Sequence, residues 1–95
     1  MARYVILSKL APQAVRDPKD LKKVAETVAQ KIKAECPKVK WLDSYALMGR
    51  FDVVDVVEAD DAADVERAAM IIRAYGNART ETMHATPWKD FLAAL

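Results

Sequence analysis

The residue types best suited to chemistry lie close together near the C-terminal end of the sequence. His84 is the only histidine, and an imidazole titrates near neutral pH. Thr80 and Thr82 precede it at two-residue spacing, so in a β-strand the three side chains share one face. Beside a cavity, that face would offer two hydroxyls and one group able to donate or accept a proton. An isolated histidine is more often structural, so the spacing leaves both roles open.

Two charged residues alternate with those threonines. Arg79 and Glu81 face the other side of the same predicted strand. They suit an ion pair within the sheet, which is the more common role, or a contact from Arg79 to a ligand. Asp52 presents a similar choice: it follows a turn at Gly49-Arg50 and suits either backbone N–H groups or a ligand.

A basic group surrounds the first loop. The loop over residues 11–18 carries Arg16 and is flanked by Lys9 and Lys19, next to the start of a predicted helix. Cations beside the free N–H groups of a helix start form an anion site, which would accept a carboxylate or a phosphate. A solvated loop is the simpler interpretation.

Three aromatic residues, Trp41, Tyr45 and Trp88, suit the wall of a pocket for an apolar ligand. Core or interface packing is the more common role for such side chains. The sequence alone leaves that choice open.

Several kinds of chemistry are not supported. One histidine and one cysteine make no metal framework, and the acidic residues of the third predicted strand do not share one face, so we predict no metal. With two glycines, a glycine-rich phosphate loop is excluded. No nucleophilic triad or pair of catalytic carboxylates stands out, and we predict no cofactor. Cys36, before Pro37 at a predicted helix end, is interpreted as a small half-buried residue.

Composition sets the class of protein. The 95 residues fit one domain spanning residues 1–95. Fifteen basic residues against 14 acidic ones argue against a general nucleic-acid binder. No apolar run is long enough to cross a bilayer, and no secretion signal opens the chain, so we expect no membrane association and a cytoplasmic location.

The hydrophobic periodicity predicts a βαββαβ order with a short C-terminal helix. Asp17 is the expected N-cap of the first helix, Asp60 or Asp61 can cap the second, and Gly76 is the expected left-handed residue that ends the second. Right-handed crossovers would pack both main helices on one face of an antiparallel sheet, giving an α+β, ferredoxin-like fold. The predicted strands are residues 3–10, 38–48, 51–58 and 78–86, and the predicted helices run from Pro18 to before Pro37, over 61–74 and over 87–95.

The third predicted strand is apolar on both faces except at Asp52, Asp55 and Glu58. A strand of that kind is buried on both faces. Because the helices of so short a chain cover only one face of the sheet, the other face is expected to meet a second subunit. This pattern predicts a homodimer or a multiple of dimers.

Three segments resemble the GYD-domain family. They are Gly49-Arg50-Phe51-Asp52 with the valine-rich strand after it, Gly76-Asn77-Ala78-Arg79-Thr80-Glu81-Thr82, and Leu7-Ser8-Lys9-Leu10 with Arg16 and Lys19. Phe51 stands where that family has a tyrosine, and Asp55 where it has an apolar residue. The resemblance implies a dimeric α+β barrel without a settled activity. The third and fourth strands also resemble the effector-binding domain of Lrp/AsnC regulators, which bind amino acids at subunit interfaces.

Three functions remain as hypotheses. The first is a non-enzymatic domain that binds or senses a small molecule through Lys9, Arg16, Lys19, Asp52, Arg79, Thr80, Thr82 and His84. The second is a barrel enzyme, a cofactor-independent oxygenase or an isomerase acting on a small aromatic or carbonyl substrate, with His84 as general acid or base. The third is an accessory partner of a larger enzyme.

Overall fold

A computed structural model describes residues 1–13 and 15–95. Residue 14, part of the loop predicted over 11–18, lies outside the described residues. The predicted order of elements is confirmed. The elements are β1 (Ala2–Leu10), α1 (Asp20–Glu35), β2 (Lys40–Ala46), β3 (Val53–Ala59), α2 (Ala62–Tyr75), β4 (Ala78–Ala85) and α3 (Trp88–Ala93).

The four strands form one antiparallel sheet in the order β2-β3-β1-β4. This arrangement confirms the α+β, ferredoxin-like fold with a short C-terminal helix. β2 is shorter than predicted, and its pairing with β3 slips between Trp41 and Asp43, where a β-bulge interrupts the register.

The two faces of the sheet differ. One face, here the helix face, carries Ile6 and Val57, which are fully buried together with Val65 of α2. α1 lies beside α2, and the ammonium group of Lys31 sits 5.0 Å from the ring centroid of Tyr75. The other face, here the open face, has no helix over it in the described part of the chain.

The N-cap of α1 was expected at Asp17, which is wrong by two residues. The observed N-cap residue is Lys19, and its side chain makes no cap hydrogen bond. The Asp17 carboxylate instead accepts from the Lys19 N–H at 3.0 Å, in a turn that leads into the helix. Pro18 lacks an N–H and suits this turn as well as a helix start.

The end of α2 also differs from the prediction. Gly76 has a φ of −89°, and the left-handed residue is Asn77 with a φ of 54°. Glycine is needed at 76 because a Cβ there would lie 2.5 Å from the Ile72 carbonyl oxygen. Asparagine tolerates the left-handed region better than most residues. Of the two aspartates that could cap α2, Asp60 and Asp61, it is Asp61 that does so, because its carboxylate accepts from the Ala63 N–H at 2.9 Å.

α3 lies apart from the other elements. All of its residues are exposed, including Trp88 at 70% and Leu92 at 47%. Trp88 stacks on Phe91, with ring centroids 5.7 Å apart. Across residues 1–13 and 15–95, no helix has the length and apolar character that a membrane span requires.

Candidate functional site

A large cavity separates α1 from the helix face of the sheet. Its volume is about 800 Å³, and we refer to it as the α1 cavity. Val24, Val28 and Ile32 form its helix wall, and Val53 lies on its sheet wall. Small residues enlarge the space: its lining also includes Ala25, Ala29, Gly76 and Ala78.

The cavity exists because the two helices sit differently on the sheet. α2 approaches β1, β3 and β4, whereas among the described residues no Cα of α1 comes within 8 Å of a strand Cα. The apolar residues of α1 recur at three- and four-residue spacing and form one stripe: Leu21, Val24, Ala25, Val28, Ala29 and Ile32. Val24 and Val28 of this stripe are only half-buried. The stripe faces the cavity rather than closely packed side chains.

One polar cluster interrupts the apolar wall. Asp55 of β3 is 8% exposed, and its Oδ1 accepts hydrogen bonds from the Trp41 Nε1–H at 3.1 Å and from the Ser44 hydroxyl. Trp41 Nε1 also lies 3.0 Å from Ser44 Oγ. Strand pairing sets Ser44 directly opposite Asp55, while the bulge in β2 brings Trp41 to the same face. These three residues all border the cavity.

Ser8 is the second polar feature of this wall. It lies on β1, lines the cavity and is 3% exposed. Within the described residues its Oγ has no hydrogen-bond partner. A buried hydroxyl left without a partner costs roughly 1–3 kcal/mol, so this position favours a ligand or water that supplies one.

Cys36 also borders the cavity and is buried. Burial raises the pKa of its thiol, with smaller contributions from nearby charges. The thiolate is the nucleophilic form of cysteine. The raised pKa therefore makes Cys36 a poor nucleophile at neutral pH, in line with the structural role expected from the sequence.

The basic residues of the first loop lie elsewhere. The Lys9 ammonium group is 3.6 Å from Asp52 Oδ1, while Asp52 Oδ2 accepts from the Leu10 N–H at 2.8 Å. Asp52 thus holds the end of β1. Arg16 and Lys19 are exposed.

The polar residues of β4 divide between the two faces. Thr80 pairs with Ser8, Thr82 with Ile6 and His84 with Tyr4, which places all three on the helix face. Arg79 pairs with Lys9 on the open face. None of the eight residues expected to bind a ligand lines the α1 cavity, so their role stays a prediction.

His84 lies at the far end of the helix face. Its ring meets Tyr4 edge-on, with centroids 5.5 Å apart. It is exposed and borders a separate recess of about 270 Å³, together with Arg3, Glu58 and Asp90. The imidazole therefore does not share a cavity with Asp55.

Sequence reasoning did not assemble the polar cluster. Asp55 was noted as an unusual charge in an apolar strand, and Trp41 as an aromatic residue suited to a pocket. Neither Ser8 nor Ser44 stood out by type or spacing. The signal available was the alternation of β3, which separates Asp55 from Asp52 and Glu58 and directs it to the face covered by helices.

Two comparisons identify relatives in sequence. The profile of the GYD domain family matches residues 4–95. A protein of Thermus thermophilus named glutamine synthetase and cystathionine beta-lyase binding protein is 33% identical over 99 residues, covering 100% of this chain and 99% of that protein.

Solved structures share the fold. The leucine response regulatory protein of Mycobacterium tuberculosis matches with a TM-score of 0.62 and 16% identity, over 90% of this chain and 51% of its own. A feast or famine regulatory protein of the same organism, complexed with L-methionine, matches with a TM-score of 0.63 and 16% identity. The match covers 92% of this chain and 51% of that protein. This chain thus spans about half the length of these regulators.

A hypothetical protein of Pyrococcus horikoshii matches at nearly its full length. Its TM-score is 0.57 at 25% identity, and the match covers 92% of each chain. The mycobacterial matches show a shared fold alone, whereas the family profile and the Thermus relative extend over almost the whole sequence. This chain belongs to the GYD domain family.

Proposed function

We propose that this protein is a non-catalytic module that binds a small, mainly apolar molecule in the α1 cavity. The observation that carries the proposal is the cavity itself, with a volume of about 800 Å³ and an apolar wall broken by one polar cluster. Sites for small molecules typically measure about 300–1,000 Å³ and combine apolar walls with a few polar groups.

A binding role is favoured over catalysis by the state of the reactive groups. The Cys36 thiol is held in its protonated form by burial, and His84 lies outside the cavity. Asp55 Oδ1 is already engaged by Trp41 and Ser44. The hypothesis of a barrel enzyme that uses His84 is less favoured, because the recess that this residue borders within the described chain, about 270 Å³, is smaller than the roughly 300–1,000 Å³ typical of small-molecule sites.

We also propose that the protein self-associates through the open face. Val5, Leu7, Val54 and Val56 form an apolar stripe there, and Tyr45 and Met83 beside it are exposed at 58% and 45%. Contiguous exposed apolar surface of this kind is typical of protein interfaces. A homodimer in the cytoplasm, sensing the level of its ligand, is the arrangement we favour.

The structural neighbours support this reading by analogy. One of them is complexed with L-methionine, so the same fold accommodates ligand recognition in that protein. The site proposed here lies within one chain, between helix and sheet, and does not depend on that likeness.

The test is calorimetric titration of the purified protein with 1-hexanol, n-hexylamine, hexanoate and amino acids. At least one apolar probe should bind, and Ala25→Phe, at an exposed position that lines the cavity, should abolish that binding. Thr27→Phe, at an exposed position of the same helix that is not part of the cavity lining, is the matched control. Absence of binding across the panel, or binding that Ala25→Phe leaves unchanged, would contradict the proposal.

A second candidate function is suggested by the Thermus relative, whose name describes it as binding glutamine synthetase and cystathionine beta-lyase. By this hypothesis the chain is an accessory partner of an enzyme, and α3, with Trp88 and Phe91 exposed, is a suitable contact surface. Interferometry with those two purified enzymes tests it. Trp88→Ser should weaken such binding, whereas Ala25→Phe should not.

A further inference from the structure

We propose that the ligand of the α1 cavity is a primary amine with an apolar body, and that Asp55 and Ser8 hold its ammonium group. The inference rests on the proposed function and names the class of molecule that this site selects.

The first argument is the unbalanced carboxylate. Asp55 is 8% exposed, and among the described residues no cationic side chain forms a salt bridge with it. Its two hydrogen bonds, from Trp41 and Ser44, both end on Oδ1, whereas Oδ2 accepts from no protein donor in the described structure and stays accessible to solvent. A buried charge is costly unless it is paired and fully hydrogen-bonded. A cationic group in the cavity would meet both needs.

The second argument is the unpartnered hydroxyl of Ser8. Its residue lies opposite Val53 on the neighbouring strand, so Ser8 and Asp55 are diagonal neighbours on one face. Such neighbours are about 7–8 Å apart, which allows one small group to reach both side chains. Both residues border the same cavity.

An ammonium group fits these two acceptors better than other polar groups. It carries three N–H donors and no acceptor, and its bond to a carboxylate is charge-assisted. A ligand carboxylate would instead be repelled by Asp55. Lys33 is the other charged residue of the described lining. It is exposed on α1 and does not neutralise Asp55, because it makes no salt bridge within the described residues.

The remaining wall sets the body of the ligand. Val24, Val28, Ile32 and Val53 offer aliphatic surface on both sides of the space. An alkyl chain or a ring attached to the ammonium group would replace water along that surface, which is favourable. A small polyamine with charges at both ends fits less well, because one of its charges would lie in the apolar part of the cavity.

The experiment compares three probes of one length by calorimetry at neutral pH: n-hexylamine, 1-hexanol and hexanoate. We expect n-hexylamine to bind at least ~tenfold more tightly than 1-hexanol, because a charge-assisted hydrogen bond is roughly twice as strong as a neutral one. Asp55→Asn, which keeps an oxygen to accept from Trp41 and Ser44, should remove that preference. Asp43→Asn, an exposed carboxylate on β2, is the matched control and should retain it.

Ser8→Ala provides a second variant in case Asp55→Asn does not fold. It should weaken the binding of n-hexylamine severalfold and have little effect on the binding of 1-hexanol. Equal affinity for the amine and the alcohol, or an amine preference that survives both substitutions, would overturn this inference while leaving the cavity as a binding site. Failure of all three probes, together with failure of the amino acids in the wider panel, would overturn the proposed function as well.

Discussion

At the scale of single residues, Asp52 and Asp55 show how two nearby carboxylates acquire different roles. Asp52 precedes β3 and binds the end of β1 through the Leu10 N–H. Asp55 lies within β3, where alternation directs it to the helix face and into the polar cluster. The contacts of Asp52 are those of a residue that holds the end of β1, its predicted role in ligand binding stays a prediction, and Asp55 is a candidate for ligand recognition.

We predict that Asp52→Ala lowers the free energy of unfolding by about 1–2 kcal/mol, because the Leu10 N–H loses a charged acceptor. Asp52→Asn keeps an acceptor oxygen and should lose less. Urea denaturation measures both, with Asp43→Ala as the control for loss of an exposed carboxylate. Equal stability of Asp52→Ala and wild type would show that the Leu10 hydrogen bond contributes nothing.

Cys36 gives stability a pH dependence. The ordinary pKa of this thiol is 9.0, and burial raises it in the folded protein. In alkaline solution the unfolded chain loses the thiol proton at lower pH than the folded chain, so the free energy of unfolding should fall as pH rises above 9.0. Cys36→Ala should show a shallower decline in denaturation experiments over that range. Parallel curves for the two proteins would contradict the assignment.

Some single-residue roles were predictable and others were not. Asp61 was predictable as a helix cap because the requirement is local and follows from the residue types beside it. Gly76 was expected to be the left-handed residue, but Asn77 adopts that conformation. Glycine suits both a left-handed position and a close approach to a carbonyl, so the residue type alone did not distinguish the two. Only the 2.5 Å distance to the Ile72 oxygen distinguishes these requirements.

At the scale of elements, the proposed binding site depends on the position of α1. Its apolar stripe was predicted from spacing, and the stripe does face the sheet. The gap beneath it was not predictable, because hydrophobic periodicity gives the direction of a helix face and not its distance from the partner surface. The register of β2 was likewise beyond prediction, since a bulge shifts the pairing without a glycine or proline to mark it.

The gap predicts an uneven tolerance for larger side chains on the two helices. Ala29→Leu projects into the α1 cavity and should leave the free energy of unfolding unchanged or slightly raised, because there is space to fill. Ala68→Leu, at a position on α2 that is 0% exposed, should lower it by about 1–3 kcal/mol through overpacking. Chemical denaturation of both variants is the measurement. Similar losses at the two positions would indicate that α1 is closely packed in solution.

At the scale of the whole molecule, the protein is a thin two-layer slab with extents of 47 × 30 × 16 Å. One layer is the sheet and the other is the pair of main helices, so no helix covers the open face within the described part of the chain. α3 extends from this body with its apolar residues exposed. A helix of six residues is not stable in isolation, and association would give it a surface to pack against.

We predict that the protein is dimeric and that Met83→Arg weakens the dimer. Met83 is 45% exposed on the open face, so the protomer should tolerate the charge while the interface should not. Met70→Arg, at a 58% exposed position on α2, is the matched control. Light scattering across a range of concentrations measures the mass. A wild-type monomer, or equal effects of the two substitutions, would contradict assembly through the open face.

Locating a bound probe shows whether the ligand site lies between α1 and the sheet. Val53 and Val54 are consecutive in β3 and face opposite sides of the sheet, so their methyl groups report on the two faces separately. Intermolecular NOEs from bound 1-hexanol to assigned methyl groups are the measurement. We predict NOEs to Val24, Val28 and Val53. NOEs to Val54 and Val56 instead would place the site on the open face and contradict a site between α1 and the sheet.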